Sequence, residues 1–287
     1  MATVQVADHA GACFGVERAL NITRQALSQG TGRVHTLGPL IHNPIVVDDL
    51  AAEGAVVVGE PEEVPAGDTL VLRTHGVHPA VERRAAEVGA CVVDATCPFV
   101  KRVHAHCERL MSEGYQVIMV GEAGHPEVEG ALGHAPGSLV LGSAQDARKA
   151  NLSRRVGVVA QTTLTREVLQ EVVGVLLIRC DEVRVFNTIC QATRERQEAA
   201  RELAGSVDVM VVVGGRNSAN TTHLAQVCAE VCPRTHHVEQ ASELEPAWFA
   251  GAQDIGITAG ASTPAEHIAQ MRAAIEELCD QPAVAGR

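Results

Sequence analysis

Three cysteines stand out by where they fall: Cys13 in "HAGACFG", Cys97 in "DATCP" and Cys190 in "NTICQ". Each lies in a short loop between a strand-like run and a helix-like run. The start of a helix carries partial positive charge that stabilises a thiolate, the form of cysteine that binds metal. Three thiolates brought together suit a [4Fe–4S] cluster with one iron free of protein ligands, or a cysteine-rich zinc site. No local CxxC pair is present, which argues against structural zinc, and the clustered cysteine run of bacterial ferredoxins is also absent. One such cysteine alone reads best as a small buried hydrophobe, but three in matching places do not. Of the other six, Cys228 and Cys232 lie four apart on an expected helix and read as core. Cys91, Cys107, Cys180 and Cys279 form no constellation.

A second group of reactive side chains sits in "GEAGHPEVEG" (121–130), directly after the apolar run "QVIMV". Glu122, His125, Glu127 and Glu129 crowd a loop where a core strand should end. A solvated turn explains the glycines and proline. An active-site rim explains the ionisable groups, and Glu122 and Glu129 are expected to face solvent.

The elements that must position these residues recur in groups of four. Strand-like runs fall near 33–37, 55–58, 69–72 and 91–93, then near 116–120, 138–141, 156–160 and 183–186. The last stretch offers 208–213, 235–238 and 254–258, and "TVQVA" at 3–7 supplies the missing fourth. Strands alternating with helical stretches indicate an α/β fold with parallel sheets. Grouped this way, a repeat appears that letter identity conceals. After the first strand of each group come "GPLIHNP", "GEAGHPEVEG" and "GGRNSANTT". After the third come "RTHGVHP", "QTTLT" and "TAGASTP", and after the fourth the three cysteine loops. Ligands bind at the carboxyl ends of strands in open parallel sheets. The expected fold is therefore three repeated α/β units, each a mostly parallel four-stranded sheet with flanking helices. The expected units are 14–97, 98–190, and 191–287 completed by the strand in 1–13.

Composition excludes several classes. A net charge of −12 with only two lysines argues against binding a nucleic-acid backbone, and 2% aromatics leaves few stacking platforms. The longest apolar runs are too short to span a bilayer, and "MATVQVADHA" has no signal-peptide pattern. No membrane association and a cytoplasmic location are expected. An anionic small ligand would have to be held by neutral donors and helix starts.

In order from residue 8 to about 264, "HAGACFGVERA", "LIHNP", "THGVHP", "DATCPFVKRVH", "GHPEVEG", "QTTL", "ICQATRERQEA", "GGRNSANT" and "TAGAST" follow one another. This series resembles the successive motifs of the 4-hydroxy-3-methylbut-2-enyl diphosphate reductases, the IspH or LytB family. The resemblance implies an iron–sulfur oxidoreductase that closes the non-mevalonate isoprenoid pathway, making isopentenyl and dimethylallyl diphosphates. It implies three pseudo-symmetric units around a central iron–sulfur site, a [4Fe–4S] cluster on Cys13, Cys97 and Cys190, and an electron donor such as ferredoxin or flavodoxin. It further implies diphosphate contacts at His42, His75 and His125, a proton relay at Glu127, and a hydroxyl network at Thr162 with Thr163 beside it. Ser218, Ala219 and Asn220, with the later Ser262, match its diphosphate-holding residues. Ala219 lacks a hydroxyl often found there, leaving only its backbone N–H, and Ala12 stands where an aromatic often precedes the first cysteine. Two rival readings are another three-cysteine cluster enzyme, such as a quinolinate-synthase-like dehydratase, and a non-enzymatic metal- or phosphometabolite-binding sensor. Seven further histidines (His78, His104, His106, His134, His223, His236 and His237) are read as surface or capping residues.

Overall fold

The structure, a computed structural model, describes residues 2–29 and 32–280. Met1, Gly30 (the glycine expected to end the first helix), Thr31 and residues 281–287 of the expected third unit lie outside the described residues. Strand β1 (Thr3–Val6) leads through a long loop into α1 (Phe14–Gln29). There follow β2 (Val34–Leu37), α2 (Pro44–Ala52), β3 (Ala55–Val58), β4 (Thr69–Leu72), α3 (Pro79–Glu87) and β5 (Cys91–Asp94). Next come α4 (Pro98–Ser112), β6 (Gln116–Val120), α5 (Pro126–Gly133), β7 (Leu139–Leu141), α6 (Ala144–Lys149), β8 (Arg155–Ala160), α7 (Arg166–Arg179) and β9 (Glu182–Phe186). The described chain ends with α8 (Gln191–Ala204), β10 (Val209–Val213), α9 (Ala219–Ala229), β11 (Thr235–Val238), β12 (Asp254–Ala259) and α10 (Ala265–Asp280).

The strands form three four-stranded sheets with orders β3-β2-β4-β5, β7-β6-β8-β9 and β11-β10-β12-β1. Each follows the same plan, second-first-third-fourth within its group. The N-terminal strand completes the last sheet, with Val4 opposite Ile255. The ladders are parallel throughout, where the sequence reading expected mostly parallel ones. Such sheets are covered on both faces and need apolar side chains at every position of their central strands. β10, "VMVVV", shows this: all five residues are buried. Val209, Val211 and Val213 meet Ile255, Ile257 and Ile275, whereas Met210 and Val212 meet Leu224 and Cys228 on the other face.

Contacts divide the chain into two compact units. One comprises 14–41 and 45–190 and holds the first two sheets. The other comprises 1–13, 42–44 and 191–287 and holds the third.

Four of the described α-helices begin with proline, and in three of them the preceding residue is a histidine or cysteine: His78-Pro79, Cys97-Pro98 and His125-Pro126. Proline excludes the preceding residue from helical geometry and is itself preset for the first helical position. The preceding residues accordingly have ψ of 139°, 132° and 135°. The dipeptide thus ends the loop and starts the helix in one step.

Candidate active site

The three cysteines share one backbone joint. Cys97 N–H donates to the Thr74 carbonyl (3.0 Å), Cys190 N–H to the Thr162 carbonyl (3.0 Å) and Cys13 N–H to the Ala261 carbonyl (3.1 Å). Each acceptor lies two residues beyond the end of the third strand of its sheet, and each cysteine immediately precedes a helix. None of the three is in a disulfide, and all are partly exposed. The joint is a property of the repeated backbone, which is why strand grouping could find it.

Glu127 lies in the first turn of α5 and is only 2% exposed. Its Oε1 accepts from the Thr162 backbone N–H (2.7 Å) and its Oε2 from Thr162 Oγ1 (2.7 Å). The same Thr162 carbonyl accepts the Cys190 N–H, so one residue joins the buried carboxyl to a cysteine loop. Burial raises the Glu127 carboxyl from 4.5 to about 7, outweighing the two Thr162 bonds, which favour the charged form. A carboxylic acid at that value holds and gives up a proton near neutral pH.

This shift has a measurable consequence for stability. The folded chain binds the Glu127 proton more tightly than the unfolded chain. The stabilisation is therefore complete below about pH 4.5 and is lost as pH rises through about 7. In urea titrations of the cluster-free protein, the wild type should lose stability across that window. Glu127→Gln should flatten this contribution. An equal slope in both proteins would contradict the buried-acid assignment.

His125 caps α5: its Nδ1 accepts the Glu127 N–H at 3.1 Å. A neutral ring with Nδ1 as acceptor carries its proton on Nε2, which leaves that nitrogen a donor suited to an anionic oxygen. His75, beyond β4, lies edge-on to His125 with ring centroids 5.7 Å apart. Thr163 Oγ1 accepts from Gln161 Nε2 (3.1 Å), and Gln161 Oε1 accepts the Glu122 N–H (2.9 Å). The two-sheet unit thus brings His75, His125, Glu127, Thr162 and Thr163 together with Cys97 and Cys190. Glu122 and Glu129 are exposed, as expected.

The remaining predicted residues gather in the other unit. Ser262 Oγ donates to the His42 carbonyl (3.1 Å), and Asn43 Nδ2 donates to the Ser262 carbonyl (2.7 Å). A side chain on Gly215 would come within 2.9 Å of the His42 carbonyl oxygen, so the loop after β10 approaches this turn closely. Ser218 caps α9, with Oγ 3.4 Å from the Thr221 nitrogen. Ala219 is the first residue of α9, so its N–H is among those a helix leaves for outside acceptors. Asn220 Nδ2 is buried with no protein partner among the described residues. A buried amide donor of that kind suits an external acceptor such as a phosphate oxygen. That His42 sits with Ser262 follows from tertiary contacts 220 residues apart, for which the sequence carries no local signal.

One of the other histidines differs from expectation. His104 is neither a surface nor a capping residue: it is 7% exposed and stacks on His134 with centroids 4.1 Å apart. Its place was readable, because Val100, Val103, His104, Cys107 and Leu110 form one buried stripe of α4. Burial first, and neighbouring His134 next, hold His104 down at about 4, so its ring is neutral. His78 is a cap, accepting the Ala80 N–H at 3.0 Å. Cys228 and Cys232 are core residues, whereas Cys91 is exposed.

Within neither unit do the described residues bring three His, Cys, Asp or Glu side chains together as a metal site. Cys97 and Cys190 belong to one unit and Cys13 to the other. The donor chemistry itself fits a cluster: three cysteines outside any disulfide, each at a helix start and each held by the same backbone bond. No described helix is long and apolar enough to cross a membrane.

Three parallel sheets with cysteines at matching strand ends, and a buried acid bonded to the residue whose carbonyl accepts the Cys190 N–H, define an α/β protein with a polar candidate site. A family model, "LytB protein", matches residues 4–276. The chain belongs to the LytB protein family. It is 45% identical over 284 residues to the 4-hydroxy-3-methylbut-2-enyl diphosphate reductase of Aquifex aeolicus, covering 98% of each chain. It is 50% identical over 262 residues to that of Citrifermentans bemidjiense, covering 91% of this chain and 92% of the relative. Among solved structures it resembles an (E)-4-hydroxy-3-methyl-but-2-enyl diphosphate reductase described as the terminal enzyme of the non-mevalonate pathway. That match has a TM-score of 0.71 at 45% identity, over 96% of this chain and 100% of the other. The E-1-hydroxy-2-methyl-but-2-enyl-4-diphosphate reductase from Plasmodium falciparum matches with a TM-score of 0.92 at 26% identity, over 98% of this chain and 89% of that one.

Proposed function

We propose that the chain is a reductase that converts 4-hydroxy-3-methylbut-2-enyl diphosphate to isopentenyl and dimethylallyl diphosphates. Two electrons and two protons enter; the allylic C–O bond breaks, one proton leaves in water and the other ends on carbon. Cys13, Cys97 and Cys190 would hold a [4Fe–4S] cluster, which when bound supplies electrons and Lewis acidity at an iron without a protein ligand. A small iron–sulfur or flavin protein such as ferredoxin or flavodoxin would deliver the electrons.

The observation that carries this reading is the Glu127–Thr162–Cys190 connection. Glu127 holds a proton near neutral pH, and Thr162 Oγ1 hands it toward the leaving hydroxyl, so that water departs instead of hydroxide. A quinolinate-synthase-like dehydratase does not require this pair, and a sensor needs no acid beside its thiols. His42, His75 and His125 would bind the diphosphate with Ser218, Asn220, Ser262, Thr163 and the Ala219 N–H, without a lysine cluster. The division into 14–97, 98–190, and 191–287 with 1–13 is proposed on the ground that each stretch owns one sheet.

Anaerobic assay with the hydroxylated diphosphate and a reduced dye tests the function. Substrate-dependent dye oxidation with formation of both products is expected, and no oxidation by brown, iron-loaded protein would reject it. His125 allows a finer test, because it both caps α5 and is proposed to bind. His125→Phe should lose about 1 kcal/mol of helix capping and raise KM. His125→Asn should restore the cap and the melting temperature but not the KM. A wild-type KM in His125→Asn would remove the imidazole from substrate binding.

A further inference from the structure

The loop that delivers Cys13 differs from the other two cysteine loops. It runs from Ala7 to Cys13, seven residues, against three from Ala95 to Cys97 and four from Asn187 to Cys190. It also contains two residues in the left-handed region, His9 (φ 59°) and Gly11 (φ 102°). A side chain on Gly11 would meet Ile268 Cδ1 at 2.9 Å and the Thr263 carbonyl oxygen at 3.2 Å, so the turn is also closely packed. A longer loop with two such residues has more competing conformations, and something must select this one.

Its N–H groups are held along one side. Ala7, Gly11 and Cys13 donate to the carbonyls of Ile257 (2.8 Å), Ala259 (3.3 Å) and Ala261 (3.1 Å). The carbonyl of Gly11 is met by Arg196. Arg196 is the sixth residue of α8, the helix that begins one residue after Cys190, and is only 3% exposed. Its Nη2 donates to the Gly11 carbonyl (2.7 Å), and its Nη1 donates to the Ala192 carbonyl (3.2 Å) one turn back in α8. A guanidinium is tolerated in a core only where its donors are satisfied in a fixed geometry. The fork spans two carbonyls that a single ammonium cannot bridge in the same way. The stretch "QATRERQEAARELAG" conceals this role, because arginine is also an ordinary helix former.

We propose that Arg196 is the positioning residue for Cys13: its guanidinium locks the long loop in the shape that presents the thiol as an iron ligand. The inference rests on the reading of Cys13 as a cluster ligand and adds the element that holds it. The three-residue Cys97 loop receives one arginine bond, from Arg18 Nη1 to the Thr96 carbonyl (3.2 Å), but it is less than half as long and contains no left-handed residue.

Hydrogen–deuterium exchange of cluster-free wild type, Arg196→Lys and Arg196→Met tests the clamp directly. Arg196→Lys, which keeps charge and stem, should melt within a few degrees of wild type even if Arg196→Met folds poorly. Amides of residues 7–14 should exchange about 10- to 100-fold faster, as expected for loss of a charge-assisted hydrogen bond. Those of 95–98 and 187–191 should be unchanged. In iron-loaded Arg196→Lys, a chelator should remove iron about tenfold faster, and the low-temperature EPR signal of the reduced cluster should change shape. Wild-type exchange across 7–14 in the variant would overturn the clamp. Faster exchange with wild-type iron retention would overturn its role in presenting the ligand. Failure of the underlying ligand assignment looks different, because Cys13→Ser would then keep its iron whatever Arg196 does.

Discussion

Glutamine at position 127 is expected to lower kcat by about 10²–10⁴-fold while iron content and KM stay near wild type. That range is what a positioned general acid contributes. The substitution is unusually clean here because the structure provides for both atoms of the amide. The glutamine oxygen can accept the Thr162 N–H, and its NH₂ can donate to Thr162 Oγ1 in place of the bond that now runs the other way. Packing and both hydrogen bonds survive, and only the proton is lost. Single-turnover measurement with pre-reduced enzyme separates proton delivery from electron supply. Near wild-type turnover would remove Glu127 from the acid role. Glu129, exposed and accepting the Gly124 N–H at 3.1 Å, would then be the remaining carboxyl of the loop to test.

Replacing Cys13, Cys97 or Cys190 by serine is expected to abolish most of the bound iron and bring activity below detection. A hydroxyl is a poor substitute for a thiolate on a cluster. The fold should persist, because the bond that shapes each loop comes from the cysteine's backbone N–H and not from its sulfur. Circular dichroism and melting of the cluster-free variants should therefore match wild type. Cys228→Ser is the control: its Sγ faces the Ala200 carbonyl inside the core at 3.9 Å, and it should keep iron and rate. Full iron content in all three loop variants, measured after anaerobic purification, would dismiss the cluster assignment.

Much of this was readable without coordinates, for reasons that particular residues make plain. Central strands such as "QVIMV" and "VMVVV" are covered on both faces, so they appear as unbroken apolar runs bounded by glycine-rich turns. Their bounds agree with expectation to within a residue or so. The cysteines were found by place in the repeat, since the joint that holds them repeats with the backbone. What stayed hidden depends on contacts remote in sequence. The bond from Ser262 to the His42 turn and that from Arg196 to Gly11 each close a gap of more than 180 residues. The cap that His125 makes on α5 is a local bond, from the Glu127 N–H to Nδ1, of a kind that a histidine before proline does not announce by type. His104 was misjudged for another reason: histidine is polar by type, and the buried stripe of α4 overrode that.

The recurring bond from each cysteine N–H to the second residue past the third strand carries a lesson about how such a protein can diversify. Thr74, Thr162 and Ala261 contribute only a carbonyl to this bond, so it is blind to their side chains. Those three positions are therefore free to take different tasks while the scaffold stays threefold. Thr74 turns its hydroxyl back onto the Leu40 carbonyl at 2.9 Å, Ala261 has nothing to offer, and Thr162 alone grips a buried acid. Three copies of one joint thereby become chemically unequal, because the side chain at one of three equivalent stations meets a buried carboxyl.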